Sequence, residues 1–389
     1  MLVKCGMNKY NFWYAVATLV GSTVGVGIFG LPYVFAQAGL IPALLFLTGL
    51  FVVVVLLNTM YGEIILRTTA KHQIIGYAEK YLGSVAKKIL LFTSVLTVYG
   101  ALLAYIVVSG SFLANLFSFF SYSSPTFFSS VFFLIGAIMI LVGIRMVSRF
   151  DLVMLGFFVS LVVLIAAVSA SHINFQNYLF STKEFWFRPF GVILFALNGL
   201  AAIPLMVEAF RDEVVLSNNG GLKLKRAILW GTLIPALLYL VFTLAVVGVS
   251  GQLTSQEAFS GLAFFLGQKI IIIGSIFAVL SVSTSFLGLG LALRESFQYD
   301  FQLTRFKSWL IVVIPPYVLF LLGIRDFIGI IGLVGGLALS VEGIFLLFLY
   351  MKARKKGDRV PEYSIRIPRP VIYFLICIFA FAAIYTLVT

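Results

Sequence analysis

The chain has 389 residues, 61% hydrophobic and 11% charged, with a formal net charge of +13 at pH 7. A charged share under half the roughly 25% of soluble domains, with apolar runs of about 20 residues along the whole length, excludes a soluble globular protein and indicates a polytopic helical one. The basic residues fall in loops, which points to membrane topology rather than nucleic acid; Cys5 and Cys377 at opposite ends, and the separated His72 and His172, make neither a disulfide framework nor a metal cluster.

Hydropathy predicts eleven spans, near 10–37, 41–67, 87–118, 126–146, 150–170, 188–211, 226–250, 262–294, 308–323, 327–351 and 369–388. With the N-terminus in the cytoplasm, 23 of the 27 Lys and Arg lie in inside loops, and only Lys183, Arg188, Lys269 and Arg325 lie outside. The C-terminus is then external. No cleavable signal peptide is expected, because the N-terminal segment lacks a small-residue cleavage site and runs into the first span. The longest polar segment, 352–369, is basic and is expected to orient the chain and meet anionic headgroups.

The first span reads GSTVGVGIFGLPYVFAQAG over 21–39, with glycines at 21, 25, 27 and 30 and a proline at 32. Glycine costs a helix interior about 1 kcal/mol relative to alanine, and proline removes a backbone donor. Gly21, Gly25 and the pair Gly27/Gly30 would also suit a small-residue packing face. The sixth span contains an echo: GLAAIP (199–204) repeats the pattern of GIFGLP (27–32). Each motif heads a group of five spans, and five is odd, so the second group enters from the opposite side. The predicted architecture is therefore two inverted repeats, 1–170 and 171–351, followed by 352–389 as a basic loop and an eleventh span.

The echo favours two discontinuous helices, opening near Gly25-Val26-Gly27 and near Asn198-Gly199-Leu200, with Ala201 adjoining. Bare backbone at membrane depth costs several kcal/mol per unsatisfied group, so it is tolerable only where something polar fills the gap. Freed amides at a half-helix start suit a carboxylate, and freed carbonyls suit an ammonium or a cation. Glycine would allow close approach and backbone angles closed to other residues. Pro32 and Pro204 are expected near the first turn of each following half-helix.

In the third span, Tyr99 and Tyr105 point to different faces, so one of them at most lines a central cavity. In the eighth, Ser281, Thr284 and Ser285 share one face at i, i+3 and i+4. Such hydroxyls suit sodium, although membrane Ser and Thr also bond back to their own helix. Three intramembrane acids stand out as coupling or gate candidates. Glu63 sits four residues before Arg67, which fits a simple i, i+4 pair. Glu208 lies beside Arg211, Asp212 and Glu213 at the inner end of span six. Glu342 in span ten has no base near it in sequence, which makes it a candidate for proton or gate work, or a satisfied structural acid.

These motifs resemble the amino acid/auxin permease family of the amino acid–polyamine–organocation group. GSTVGVGIFGLPYVFAQAG is similar to that family's opening motif, GVILFALNGLAAIP (191–204) to its sixth span, and TSFLGLGLAL (284–293) to the eighth span of bacterial aromatic and hydroxy amino acid permeases. The resemblance implies an all-α, LeuT-type fold of five-plus-five inverted repeats with spans one and six discontinuous. It implies an amino acid carrier of the cell membrane, not an enzyme, with no resident cofactor. Carried over by position, it implies that Thr23, Gly25, Val26 and Gly27 meet the substrate carboxylate. It also implies that Gly21 and Val24 offer carbonyls to a sodium ion completed by the eighth-span hydroxyls. Ile28 departs from relatives with an asparagine there, so at most one ion site is expected. Some relatives replace that ion with a fifth-span lysine; here no Lys or Arg follows Arg149 in that span. Sodium symport is the expectation, with proton symport as the alternative and a channel or membrane enzyme as rivals from other classes.

Overall fold

The computed structural model describes residues 10–117, 124–143, 148–179, 185–209, 220–300 and 302–388. Cys5, Lys183 and the Arg211-Asp212-Glu213 cluster singled out above lie outside the described residues. The first span is α1 (Tyr10–Thr23) and α2 (Gly27–Ala38), bent by 59° across Val24-Gly25-Val26. Then come α3 (Leu40–Leu66), a short amphipathic α4 (Ile74–Leu82), α5 (Ser84–Leu116), α6 (Pro125–Val142) and α7 (Ser148–Ser169). The second half has α8 (Arg188–Ala196), a 3-10 turn at Leu200–Ala202, α9 (Ile203–Ala209), α10 (Gly220–Ser250), α11 (Phe259–Leu266) and α12 (Gln268–Asp300). It closes with α13 (Arg305–Leu321), α14 (Phe327–Leu333), a π segment at Val334–Leu339, α15 (Ser340–Lys356) and α16 (Arg369–Val388).

Counting α8–α9 and α14–α15 each as one segment, eight helical segments among the described residues are long and apolar enough to cross a membrane, and α1–α2 form a ninth crossing as a bent pair. Helices α7 and α13 stand at the two remaining predicted spans. One boundary moves: the apolar run 262–294 divides into α11 and α12 at Gly267, whose φ of +80° an L side chain rarely adopts. Most exposed large apolar side chains lie on outward faces of these helices, such as Leu45 and Val52 of α3 or Ile135 and Ile138 of α6, where lipid is the solvent.

Two backbone contacts fix the middle of the bundle. A Cβ on Gly27 would stand 2.6 Å from Ala196 Cα, so the broken helices touch main chain to main chain. A Cβ on Gly335 would run into the carbonyl of Gly191, which presses the π segment of span ten against α8.

Residues 357–368 fold back against the bundle as a strap. Tyr363 is buried and donates to the Thr59 carbonyl at 2.7 Å, and Arg359 donates to the Leu66 carbonyl at 2.5 Å. Glu63, fully buried, is the central anchor: Arg67 pairs with it at 2.7 Å, Ser364 donates at 3.0 Å and the Ile365 amide at 2.8 Å. Asp358 is clasped by Lys80 and by the amide and hydroxyl of Thr69. These partners hold its carboxyl well down, at about 2. A lowered Asp stabilises above its unfolded value, so this clasp is complete above about pH 4 and is lost as pH falls through about 2. Removing one partner of a buried pair costs about 3–5 kcal/mol. Glu63→Ala should therefore lower the Tm of the purified protein and hasten trypsin cleavage at Arg359 and Arg366. Unchanged cleavage would mean that the strap is held without Glu63.

Candidate functional site

In α1 the last helical bond is Val24 N–H to the Val20 carbonyl at 2.8 Å, and the next is Phe29 N–H to the Val26 carbonyl at 3.1 Å. Between them the opening amides of α2 have no acceptor within the helix, as at any helix start. In the sixth span the Leu197 amide still reaches Ile193 at 2.9 Å, after which the chain turns through Asn198 and Gly199. Both predicted breaks are present, at the predicted residues.

The reason for the glycines needs correcting. None of Gly21, Gly25, Gly27 and Gly199 has a positive φ; Gly199 has φ −130°. Gly27 and Gly199 are required by space rather than by backbone angle. A Cβ on Gly199 would stand 2.6 Å from Thr23 Oγ1, and Gly27 abuts Ala196. Pro32 also falls elsewhere than expected: it lies inside α2, past the first turn, where it denies the Ile28 carbonyl a helical donor, while Pro204 is the second residue of α9.

Around the first break the structure brings three spans together. A Cβ on Gly25 would lie 3.4 Å from the Tyr105 hydroxyl and 3.6 Å from Ser285 Oγ. The Tyr105 and Ser285 hydroxyls both stand over Gly25. Tyr105 is thus the third-span tyrosine that reaches the break; Tyr99 turns away and donates to the Ile311 carbonyl at 2.6 Å. Val24, Val26 and Thr23 are buried and Gly21 half-buried. The Thr23 hydroxyl donates to its own helix at Leu19, 2.8 Å away, and Thr284 donates to the Ser281 carbonyl at 2.8 Å, with Ser281 buried beside it. In span six, Asn198 Oδ1 accepts from the Leu200 amide at 3.4 Å, which braces the turn, and Ala201 is exposed.

Sequence reading missed Tyr239. This tyrosine of α10 is fully buried, and its hydroxyl donates to the Thr23 carbonyl at 2.8 Å and to the Ala196 carbonyl at 3.1 Å. Those are the last residues of α1 and α8, so one hydroxyl ties together the ends of both first half-helices. A single tyrosine in the apolar run ALLYLVF carries no signal of this role.

The two ends of the bundle differ. At the end away from the basic loops, Phe29 of α2, Phe112 of α5, Phe242 of α10 and Phe259 of α11 pack as a buried cluster. Phe29 lies 5.0 Å from Phe112, 6.3 Å from Phe242 and 5.6 Å from Phe259, centroid to centroid. Each such pair contributes about 0.5–1.5 kcal/mol beyond its area. The Asn174–Leu179 turn is fastened to the same end of α10: Asn177 and Tyr178 donate to the Gly248 and Leu244 carbonyls, each at 2.8 Å. At the basic end a cavity of about 640 Å³ opens instead. Pro204, Leu205 and Glu208 of α9 form one wall, and Lys71 and His72 another. Glu208 pairs with Lys71 across it, both more than half exposed, and such surface pairs are worth at most about 1 kcal/mol.

Glu342, two residues into α15, is buried and accepts from the Thr97 hydroxyl at 3.2 Å. Among the described residues no basic side chain pairs with it.

A model of the tryptophan/tyrosine permease family matches residues 8–386. Glutamine transporter 2 of Aliivibrio fischeri is 24% identical over 373 residues, covering 92% of this chain and 93% of the relative. Tyrosine-specific transport system 2 of Haemophilus influenzae is 24% identical over 387 residues, covering 91% of each. Among solved structures, that of MhsT in complex with L-phenylalanine superimposes with a TM-score of 0.61 at 16% identity, over 98% of both chains. The fold is thus of the LeuT type.

Proposed function

The chain belongs to the tryptophan/tyrosine permease family, a family of amino acid transporters and not of enzymes, and from the paired breaks we propose that it works by alternating access as a cation-coupled symporter, with sodium as the cation. The observation that carries this reading is the contact between the two breaks, Thr23 against Gly199 and Gly27 against Ala196, with Tyr105 and Ser285 over Gly25. A zwitterion suits such a place: its carboxylate takes the opening amides of α2 and its ammonium the freed carbonyls of either break. Thr23, Gly25, Val26, Gly27, Tyr105 and the turn Asn198–Ala201 are its proposed contacts.

Sodium is supported by the hydroxyl face of α12 and by the absence of Lys and Arg in span five after Arg149. Thr284 spends its proton on the Ser281 carbonyl, which leaves its oxygen lone pairs for a cation. Ser281, Ser285 and the carbonyls of Gly21 and Val24 complete the proposed set. The basic end is taken as cytoplasmic, with the C-terminus outside. On that orientation the four-phenylalanine cluster closes the outer side, the cavity is the inner vestibule, and Lys71–Glu208 is a weak inner latch. Relatives named for tyrosine and glutamine make neutral amino acids the first substrates to try.

The test is uptake into liposomes of a panel including tyrosine, tryptophan, phenylalanine, glutamine and serine, under separate sodium and proton gradients. Saturable, sodium-driven uptake is expected. No uptake across the panel overturns the transport reading for these substrates, and uptake driven by protons alone overturns sodium. Proton coupling is the second reading, favoured by the buried Glu342, which accepts from Thr97 and pairs with no base among the described residues. Under it, Glu342→Gln flattens the pH profile of uptake; a profile like wild type removes Glu342 from coupling and leaves it a structural acid.

A further inference from the structure

Seven basic residues follow Glu342 in the chain, and the structure divides them into two sets. Arg359 is paired with Glu362, and Arg354 donates to the Tyr350 hydroxyl at 3.3 Å. Lys352, Lys355, Lys356, Arg366 and Arg369 are exposed and have no acidic partner among the described residues. The acids of this part of the chain are already taken: Asp358 pairs with Lys80, Glu362 with Arg359, and Glu342 is buried.

The five free cations gather because α15 and α16 run antiparallel and in step. Gly336 lies against Thr386, and a Cβ on Gly343 would stand 3.0 Å from Phe379. Seven residues forward on one span are thus seven back on the other. Nine more bring Lys352 level with Pro370, beside Arg369. Arg366 is carried to the same end, because the Tyr350 hydroxyl of α15 donates to the Ile365 carbonyl. Lys352, Lys355 and Lys356 follow Phe348 at i+4, i+7 and i+8, so they continue its helix face. Phe348 is exposed, and so are Tyr373 and Phe374, one turn into α16 from Arg369. The cations therefore stand just beyond lipid-facing rings on both helices, at headgroup depth.

We propose that the basic ends of α15 and α16 form a binding site for an anionic phospholipid with two phosphates, its acyl chains lying along Phe348, Tyr373 and Phe374. The charge sets the class of ligand: five cations without an acid call for an anion, and the exposed rings beside them call for hydrocarbon. The spread of the cations sets the number of phosphates. Lys352 and Lys356 are one turn apart, about 6 Å along α15, and packed helix axes stand about 8–10 Å apart. One phosphate does not span that width; two phosphodiesters on a short linker do. Arg366 and Arg369 also end the strap, which Glu63 and the Thr59 carbonyl hold nearer its middle. A bound headgroup pins that remaining end between α15 and α16. The site is independent of the coupling ion.

The test is thermal unfolding of delipidated protein in neutral detergent with increasing cardiolipin, phosphatidylglycerol, phosphatidylcholine or inorganic pyrophosphate. Cardiolipin should raise the Tm at concentrations at least about tenfold below those of phosphatidylglycerol, and phosphatidylcholine should leave it unchanged. Lys352→Gln/Lys356→Gln/Arg369→Gln should weaken the cardiolipin response at least about tenfold. Lys88→Gln/Lys225→Gln/Arg226→Gln removes as much charge from other exposed positions of the basic end and should keep the response. A full response in the first triple, or equal loss in both, overturns the site. A pyrophosphate response equal to that of cardiolipin overturns a lipid occupant, and equal potency of phosphatidylglycerol overturns the two-phosphate assignment. Lys352→Glu against Lys88→Glu repeats the comparison at single exposed positions, where folding is not at risk. Equal responses of that pair overturn the site as well.

Discussion

Tyr239→Phe is expected to abolish most transport while changing only one oxygen. The hydroxyl divides its proton between the carbonyls of Thr23 and Ala196, at 2.8 and 3.1 Å. Both acceptors are at the ends of broken helices, where no further turn of helix can supply a donor. An unsatisfied buried polar group costs about 1–3 kcal/mol. Two such groups cost about 2–6 kcal/mol, against about 1.4 kcal/mol for each factor of ten. The expected outcome is a fall in Tm of several degrees and at least about a tenfold loss of uptake rate. Wild-type uptake and Tm together would show that the two ends hold their positions without the tyrosine.

Alanine at Gly27 and alanine at Gly25 should behave very differently, although the two residues are neighbours in the same motif. At Gly27 the added carbon meets Ala196 Cα at 2.6 Å, and main chain cannot step aside without moving α8 away from α2. Overpacking of this kind costs about 1–3 kcal/mol and more where nothing yields. Gly27→Ala is expected to give poorly folded protein with no uptake. At Gly25 the added carbon meets only two hydroxyls at 3.4 and 3.6 Å, which is ordinary contact. The backbone there has no positive φ to strain. Gly25→Ala should fold normally and still fail, because its methyl occupies the approach to the opening amides. Losing one charge-assisted hydrogen bond, at about 1.5–3 kcal/mol, weakens amino acid binding about 10- to 100-fold. Normal Tm with lost binding at Gly25, beside lost Tm at Gly27, would mark the first as a contact and the second as a hinge between half-helices. Equal behaviour of the two would remove that distinction.

Much of this was legible in the residues. The spans follow from hydropathy and the two breaks from glycine and proline at matching places. What the glycines are for was not legible, because a sequence cannot separate a need for backbone angle from a need for room. Only the contact of Gly27 with Ala196, 169 positions away in the chain, distinguishes them. Tyr239 escaped notice for a related reason: tyrosine is a common packing residue, and its role depends on two carbonyls from distant helices. The basic composition of the strap points to anionic headgroups and carries no sign of its fastenings. Its fastenings, Tyr363 to Thr59 and Ile365 to Glu63, are contacts across about 300 residues, which no local period records. The division of α11 from α12 was hidden because a single glycine in an apolar run looks the same whether it bends the chain or packs within a helix.

The π segment at Val334–Leu339 sets the angular phase of everything after it. A π turn carries one residue more than the α turn it replaces, and one residue is about 100° of rotation around the helix. Phe327, Ile328 and Ile331 before it face the core, and so does Glu342 after it, toward Thr97. In an uninterrupted α-helix those two groups would be indexed about 100° apart from where they now stand. Shortening the segment by one residue would leave the first group seated and swing the carboxylate off the Thr97 hydroxyl of α5. The wide turn therefore works as a phase shifter: it aims a single acid at the third span while keeping Gly335 against Gly191.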